Sequence, residues 1–282
     1  PRAISALHTL PAPGRIGTCG RRAEMMLMKK AVEAKTKEEL AVMRQAGAIV
    51  GDILQLLAAK IEPGVTTGQI DSWARAEIKA RGAKPAFLGY HGFPGVICLS
   101  VNSEVVHGIP SDKRVLKNGD IIGVDFGVIV DGWYGDSAVT IGVGKISPEA
   151  QRLITITRES LEKGIAAVTA GARVGDIGAA VQGYAEAAGY SVVREFVGHG
   201  IGRALHESPP VPNYGKAGTG PRLKTGMTIA IEPMINAGAA AVRTLEDGWT
   251  AVTLDGSLSA HFEHTVCVTE GAPVIMTLPS KI

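Results

Sequence analysis

The middle of this chain repeats itself, and that repeat limits the folds open to it. At an offset of 107 residues Gly64 meets Gly171, Gly68 meets Gly175, Ile70 meets Ile177 and Gly82 meets Gly189. At the same offset Lys117-Asn-Gly-Asp-Ile-Ile122 aligns with Lys224-Thr-Gly-Met-Thr-Ile229, and Asp125 then falls on Glu232. His91-Gly92 matches His199-Gly200 at 108, and His107-Gly-Ile-Pro110 matches His206-Glu-Ser-Pro209 at 99, so short insertions separate the blocks. Glycine matches arise by chance in a chain with 36 glycines, so the paired acids carry the comparison. A helix–helix–strand unit used twice predicts one domain with an approximate internal twofold.

Local signals place the elements of that domain. Thr36-Lys-Glu-Glu39 is a capping box, in which the Thr hydroxyl accepts the N3 amide and the Glu reaches back. Leu40, Met43, Gly47/Val50, Leu54 and Leu57 follow at helical spacing and stop before Pro63-Gly64. Further helices are expected over Gln69 to Arg81, from Ser147-Pro148-Glu149 onward, and over Gly175 to Ala188. Turns are expected at Asp131-Gly132, Asp247-Gly248 and Asp255-Gly256, between β-rich stretches. The fold class is therefore α/β (α+β), with a catalytic domain over residues 36–282 and a flexible extension over residues 1–35.

Charge and cysteine usage narrow the partners. Residues 1–30 hold six Lys/Arg against Glu24, leaving 23 Lys/Arg and 26 Asp/Glu in the remaining 252 residues. That balance lacks the basic footprint of a DNA-binding domain. The extension has no apolar h-region, and no run of about 18 apolar residues marks a membrane span. Cys19, Cys98 and Cys267 are odd in number and far apart, which excludes a disulfide framework and points to a reducing cytoplasm.

The chemistry-bearing residues lie on the strands. If Ile121–Asp125 and Gly135–Thr140 pair about the Asp131-Gly132 turn, Asp125 stands opposite Ala138 and Asp136 lies diagonally from Asp125 on the same face. Two carboxylates so placed in an apolar hairpin cannot both ionise without a cation. The second half supplies Glu232 after Ile229-Ala-Ile231, Glu263 within His261-Phe-Glu-His-Thr-Val-Cys-Val268, and His199 between two glycines. One His and four carboxylates form a hard, oxygen-rich set suited to Mn, Fe(II) or Co. Five such ligands suit two ions in a hydrolytic site. His264 alternates away from Glu263 and reads as a hydrogen-bonded neighbour; His8 and His261 carry no signal of their own. Gly198-His-Gly-Ile-Gly-Arg203 lacks the third Gly of a dinucleotide loop, and Gly218-Thr-Gly-Pro-Arg-Leu-Lys-Thr225 has Leu223 where a phosphate loop needs Gly. His206-Glu207-Ser-Pro-Pro210 does not continue to a second His, and no G-x-S-x-G elbow is present.

From about Thr36 to Thr277 the chain resembles the type I methionine aminopeptidases. The resemblance rests on Leu88-Gly-Tyr-His-Gly-Phe-Pro94, Asn102-Ser-Glu-Val-Val-His-Gly-Ile-Pro110, Asp125 with Asp136, Gly198-His-Gly-Ile-Gly202, Ile231-Glu-Pro-Met234 and Phe262-Glu-His264. Only 25 residues separate His206 from Glu232, too few for the helical insertion of the type II enzymes. The resemblance implies the pita-bread fold, with two pseudo-twofold halves, and removal of the initiator methionine when the next residue is small. It implies two divalent ions (Co, Mn, Fe(II) or Zn), with Asp136 and Glu263 bridging, His199 and Glu232 completing one ion and Asp125 the other. A hydroxide between the ions attacks the scissile carbonyl, Glu232 shuttles the proton, and His107 and His206 flank the peptide unit.

The resemblance also assigns the methionine slot to Phe87, Tyr90, His91, Phe93, Cys98, Leu205 and Trp249. It departs from the family at Phe87, where a Cys is familiar, at Leu205, where an aromatic is familiar, and at Gly127, where a Thr is familiar. The implied partners are nascent polypeptide N-termini; the six positive charges of the extension alone suggest transient ribosome association, and a monomer is expected. Two alternatives remain: a proline-specific aminopeptidase of the same fold, and a non-catalytic peptide- or ribosome-binding relative. The first usually needs a much larger N-terminal domain. The second sits poorly with an intact ligand set and both site histidines.

Overall fold

The computed structural model describes residues 33–280; the extension expected over residues 1–35 lies outside the described residues up to position 32. Four helices carry the outer layer: α1 Lys37–Lys60, α2 Thr67–Ala80, α3 Pro148–Ala166 and α4 Val174–Ala187. The first half contributes β1 Lys84–Pro85, β2 Cys98–Val101, β3 Glu104–Val106, β4 Ile121–Val130 and β5 Trp133–Gly142. The second contributes β6 Ser191–Val192, β7 Gly198–Gly200, β8 Glu207–Val211, β9 Thr228–Ile231 and β10 Met234–Asn236. It continues with β11 Val242–Thr244, β12 Ala251–Thr253, β13 Ser259–His261, β14 Glu263–Cys267 and β15 Val274–Ile275.

The capping chemistry explains where the helices begin. Thr36 accepts the Glu39 amide while the Glu39 carboxylate takes the Thr36 amide, and Ser147 caps α3 through Ala150 with Pro148 in its first turn. The second helix starts earlier than Gln69, because Thr66 and Gln69 form a capping box of their own. In α4 it is the Asp176 carboxylate that takes the Arg173 amide, so that helix begins at Val174.

Nine strands form one antiparallel sheet in the order β1-β4-β5-β14-β9-β7-β8, with β2 beside β4 and β15 beside β14. Two three-stranded sheets, β13-β10-β6 and β11-β12-β3, complete the β structure. The β4–β5 hairpin turns at Asp131-Gly132, both with positive φ (49° and 79°), the pattern of a type I′ turn that matches strand twist. Each helix pair has its own core. Met43, Val50, Ile70 and Ile78 pack with Val124 and Phe126, while Leu153, Leu161, Ile177 and Val181 lie in the second half, most of them against Ile229, Ile231 and Val266. The two halves are thus built alike, as the repeat requires.

By length and composition alone α1 is apolar enough to cross a bilayer; here its apolar face lies on β4 and β5. The approach is close because glycines meet there. A Cβ on Gly135 would come within 2.7 Å of the Gly47 nitrogen, and a Cβ on Gly47 within 2.2 Å of the Met276 carbonyl oxygen. Ala is the better helix former by about 0.8–1.0 kcal/mol, yet overpacking costs about 1–3 kcal/mol. Gly47→Ala should therefore lower Tm in thermal unfolding. A raised Tm would show that α1 has room to spare on the sheet.

Candidate metal centre and substrate pocket

Strand register brings the acidic residues to one place. Asp125 pairs with Ala138 across the hairpin, as the turn predicts, and Ala138 pairs in turn with Glu263. The next register step, His264 with Ile231, sets Glu232 at the end of β9 beside Glu263. Asp136 lies two residues from Ala138 on the same face of β5. His199 sits at the centre of β7, between glycines that leave no room for a Cβ: one on Gly198 would lie 2.3 Å from the Ala230 carbonyl oxygen.

Donor atoms of Asp136, His199 and Glu263 lie within 4.8 Å of one another, and His199 Nε2 is 3.4 Å from Glu232 Oε1. Asp125 Oδ1, Asp136 Oδ1 and Glu263 Oε1 are buried without a hydrogen-bond partner among the described residues. Unpartnered carboxylate oxygens are costly to bury, and their convergence suits a hard divalent cation. Burial raises all four carboxyl pKa values, Asp136 to about 7, and mutual repulsion pushes Asp125, Glu232 and Glu263 up further. His199 is held neutral, its pKa lowered to about 3 by burial and then by His206. Its Nδ1 bonds the Gly200 carbonyl at 2.9 Å, so the proton sits on Nδ1 and Nε2 offers a lone pair to the cluster.

A pocket of about 320 Å³ opens onto this cluster. All five expected ligands line it, together with Phe87, Tyr90, His91, Phe93, Cys98, His107, Leu205, His206 and Trp249. Phe93 meets Trp249 edge to face at 5.1 Å, and His107 stands edge-on to Phe196 and Trp249. The Tyr90 hydroxyl lies 2.6 Å from His206 Nδ1. Desolvation raises the Tyr90 pKa, and desolvation, then His107 and His91, lowers that of His206 to about 4, although the residue as a whole is exposed. The contact joins two neutral groups and ties the His206 ring to Tyr90. Buried Cys98 keeps its proton, because burial and then Asp125 raise its pKa.

Some residues of the site carried no recognisable sequence signal. Val106 and Met234, which lie inside quoted motifs but were given no role, and Phe196 and Val197, within two residues of Gly198, also line the pocket. His261 is buried with Nε2 unpartnered and 3.9 Å from Glu232 Oε2; it arrives there through the pairing of Met234 with His261. His264 bonds Thr277 and Ser137 instead of the cluster, as its alternation predicts. Gly127 stands opposite Asp136, where a Cβ would lie 3.2 Å from Asp136 Oδ1.

The sign of the pH dependence follows from these shifts. A carboxyl with a raised folded pKa contributes stability at low pH and loses it as pH rises through that value. The lowered histidines oppose this only below their unfolded pKa, near 6.5. Above about pH 6.5 the metal-free protein should melt at falling temperature as pH rises through the Asp136 value of about 7, and added divalent metal should cancel the fall. A flat or rising Tm in EDTA over that range would contradict the crowding of the four acids.

Comparison with known proteins agrees with this geometry. Residues 41–270 match the model of metallopeptidase family M24. The methionine aminopeptidase of Clostridium perfringens is 51% identical over 244 residues, covering 86% of this chain and 98% of that protein. The crystal structure of a methionine aminopeptidase from Thermotoga maritima superposes with a TM-score of 0.87 at 46% identity, covering 88% of this chain and all of that one. The prolidase from Pyrococcus horikoshii, 22% identical with a TM-score of 0.70 over 88% of this chain and 64% of its own, shares the pita-bread fold. The chain is therefore a member of metallopeptidase family M24.

Proposed function

We infer that this protein is a metal-dependent methionine aminopeptidase that removes the initiator methionine from nascent chains and peptides when the next residue is small. The observation that carries the reading is one pocket in which a carboxylate–imidazole cluster adjoins an apolar slot, joined to 51% identity with a protein of that name. The chemistry of the donors fits divalent metal, and Asp125, Asp136, His199, Glu232 and Glu263 would together hold two such ions. Co, Mn, Fe(II) and Zn all suit such a set. When bound, the ions supply Lewis acidity and a water that ionises near neutral pH.

The chain's own residues do the rest. Phe87, Phe93, Cys98, Leu205 and Trp249 offer the soft, dry surface that holds a thioether, with Tyr90 and His91 at its rim. That grip orients the scissile bond against the cluster and leaves the free α-amine on the Asp125 side. His206, oriented by its contact with Tyr90, donates to the scissile carbonyl oxygen as negative charge develops there. His107 meets the peptide unit from the opposite side. Glu232 takes the proton of the attacking water and returns it to the departing nitrogen. The cytoplasm and its nascent chains are the setting this chemistry fits, with the protein acting as a monomer and the basic extension favouring transient ribosome contact.

The EDTA-stripped protein should release no methionine from Met-Ala-Ser, and Mn, Fe(II) or Co should restore release. Little release is expected when a bulky residue follows Met. Glu232→Gln should lower kcat by about 10²–10⁴-fold. Cleavage of X-Pro peptides without methionine release would move the protein to the proline-specific group, and silence with every metal would leave a binding module.

A further inference from the structure

The chain segment just ahead of α1 reaches the loop that carries Leu205 and His206. Lys35 donates its amide to the Gly226 carbonyl at 2.8 Å, and its neighbour Thr36 is fixed as the α1 cap. Its side chain runs under Gly202, where a Cβ would lie 2.7 Å from Lys35 Cε, and ends on Glu207 with Nζ 2.9 Å from Oε2. The Lys35 side chain is only 5% exposed. Glu207 Oε1 accepts the Ala204 amide at 3.1 Å, so one carboxylate joins Lys35 to both ends of the stretch Ala204–Glu207. Between those ends lie Leu205, a wall of the slot, and His206. The start of the same loop is anchored separately, by the Tyr134 amide on the Gly202 carbonyl and by Arg203 stacked on Trp133.

The Glu207 side chain is 24% exposed, and a part-buried ammonium–carboxylate pair adds little net stability, since desolvation and solvent screening offset most of the attraction. What such a pair does supply is direction. We propose that Lys35 is a positioning residue: its ion pair with Glu207 clamps the loop that carries Leu205 and His206 against the pocket. This rests on the proposed reaction for its effect on turnover, but the clamp itself is a property of the fold. The N-terminal segment at position 35 and the pocket wall, 170 residues later in sequence, are then one mechanical unit.

The test pairs Lys35→Met with Lys35→Arg and Glu207→Gln, all in the full chain with metal restored. Lys35→Met should lower kcat for Met-Ala-Ser about tenfold or more, because small misplacements of a reacting group are amplified in rate. Lys35→Arg should recover most of it. Glu207→Gln should match Lys35→Met, and the double variant should be no worse than either. In the metal-free proteins, amide hydrogen exchange over residues 203–207 should quicken in Lys35→Met while α3 and β14 keep wild-type protection. Unchanged kcat, additive losses, or loop exchange equal to wild type would each overturn the clamp. If the wild-type protein releases no methionine, the assigned activity has failed and the exchange comparison still decides the clamp. If Lys35→Met does not fold, Lys35→Arg and Glu207→Gln carry the same comparison.

Discussion

Four carboxylates and an imidazole crowd one face of one antiparallel sheet, and the rest of the structure is arranged around their repulsion. In a medium of low dielectric the acids cannot all ionise: burial raises all four pKa values, and repulsion from neighbouring acids raises those of Asp125, Glu232 and Glu263 further. Asp125, Asp136 and Glu263 keep oxygens that no protein donor satisfies among the described residues. A polar cluster left this way is destabilising unless a cation completes it. Folding has therefore placed charge where it costs stability and where a divalent ion recovers it.

The rigidity needed to hold such a cluster comes from backbone register more than from side-chain contacts. Each acid sits on, or one residue beyond, a strand paired on at least one side, so the backbone positions from which the carboxylates project are fixed by the ladder. Gly47 and Gly135 let α1 press on the hairpin that carries Asp125 and Asp136. The pocket adds the groups that read a substrate, and these come largely from loops. That division explains why Tyr90, Arg203 and Lys35 all spend contacts on the short stretch from Gly202 to Glu207: a loop has no register of its own, and His206 must be held by its neighbours.

Much of this was legible in the sequence because it is local. A capping box marked α1, a Ser cap followed by Pro marked α3, and the Asp131-Gly132 turn alone set Asp125 against Ala138. The repeat foretold paired acids and twin helix pairs. What escaped depends on contacts distant in sequence. His261 reads as an unremarkable residue until β13 pairs with β10, and Lys35 reads as the last residue of an extension until it meets Glu207. The second helix was placed late for a different reason: Thr66 and Gln69 form a capping box across Gly68, and glycine obscures the helical pattern. The two small sheets escaped too, since strands of two or three residues carry no periodicity.

The central claim is that protons held by the crowded carboxyls give way to cations. It is tested most directly by counting protons as metal binds, using titration calorimetry near pH 7 in buffers of different ionisation enthalpy. Loading the metal-free protein with Mn or Co should release about one proton or more per molecule, with the number falling as pH rises. Tight binding with no proton released would mean that the acids were already ionised, and that the site is not organised by their repulsion.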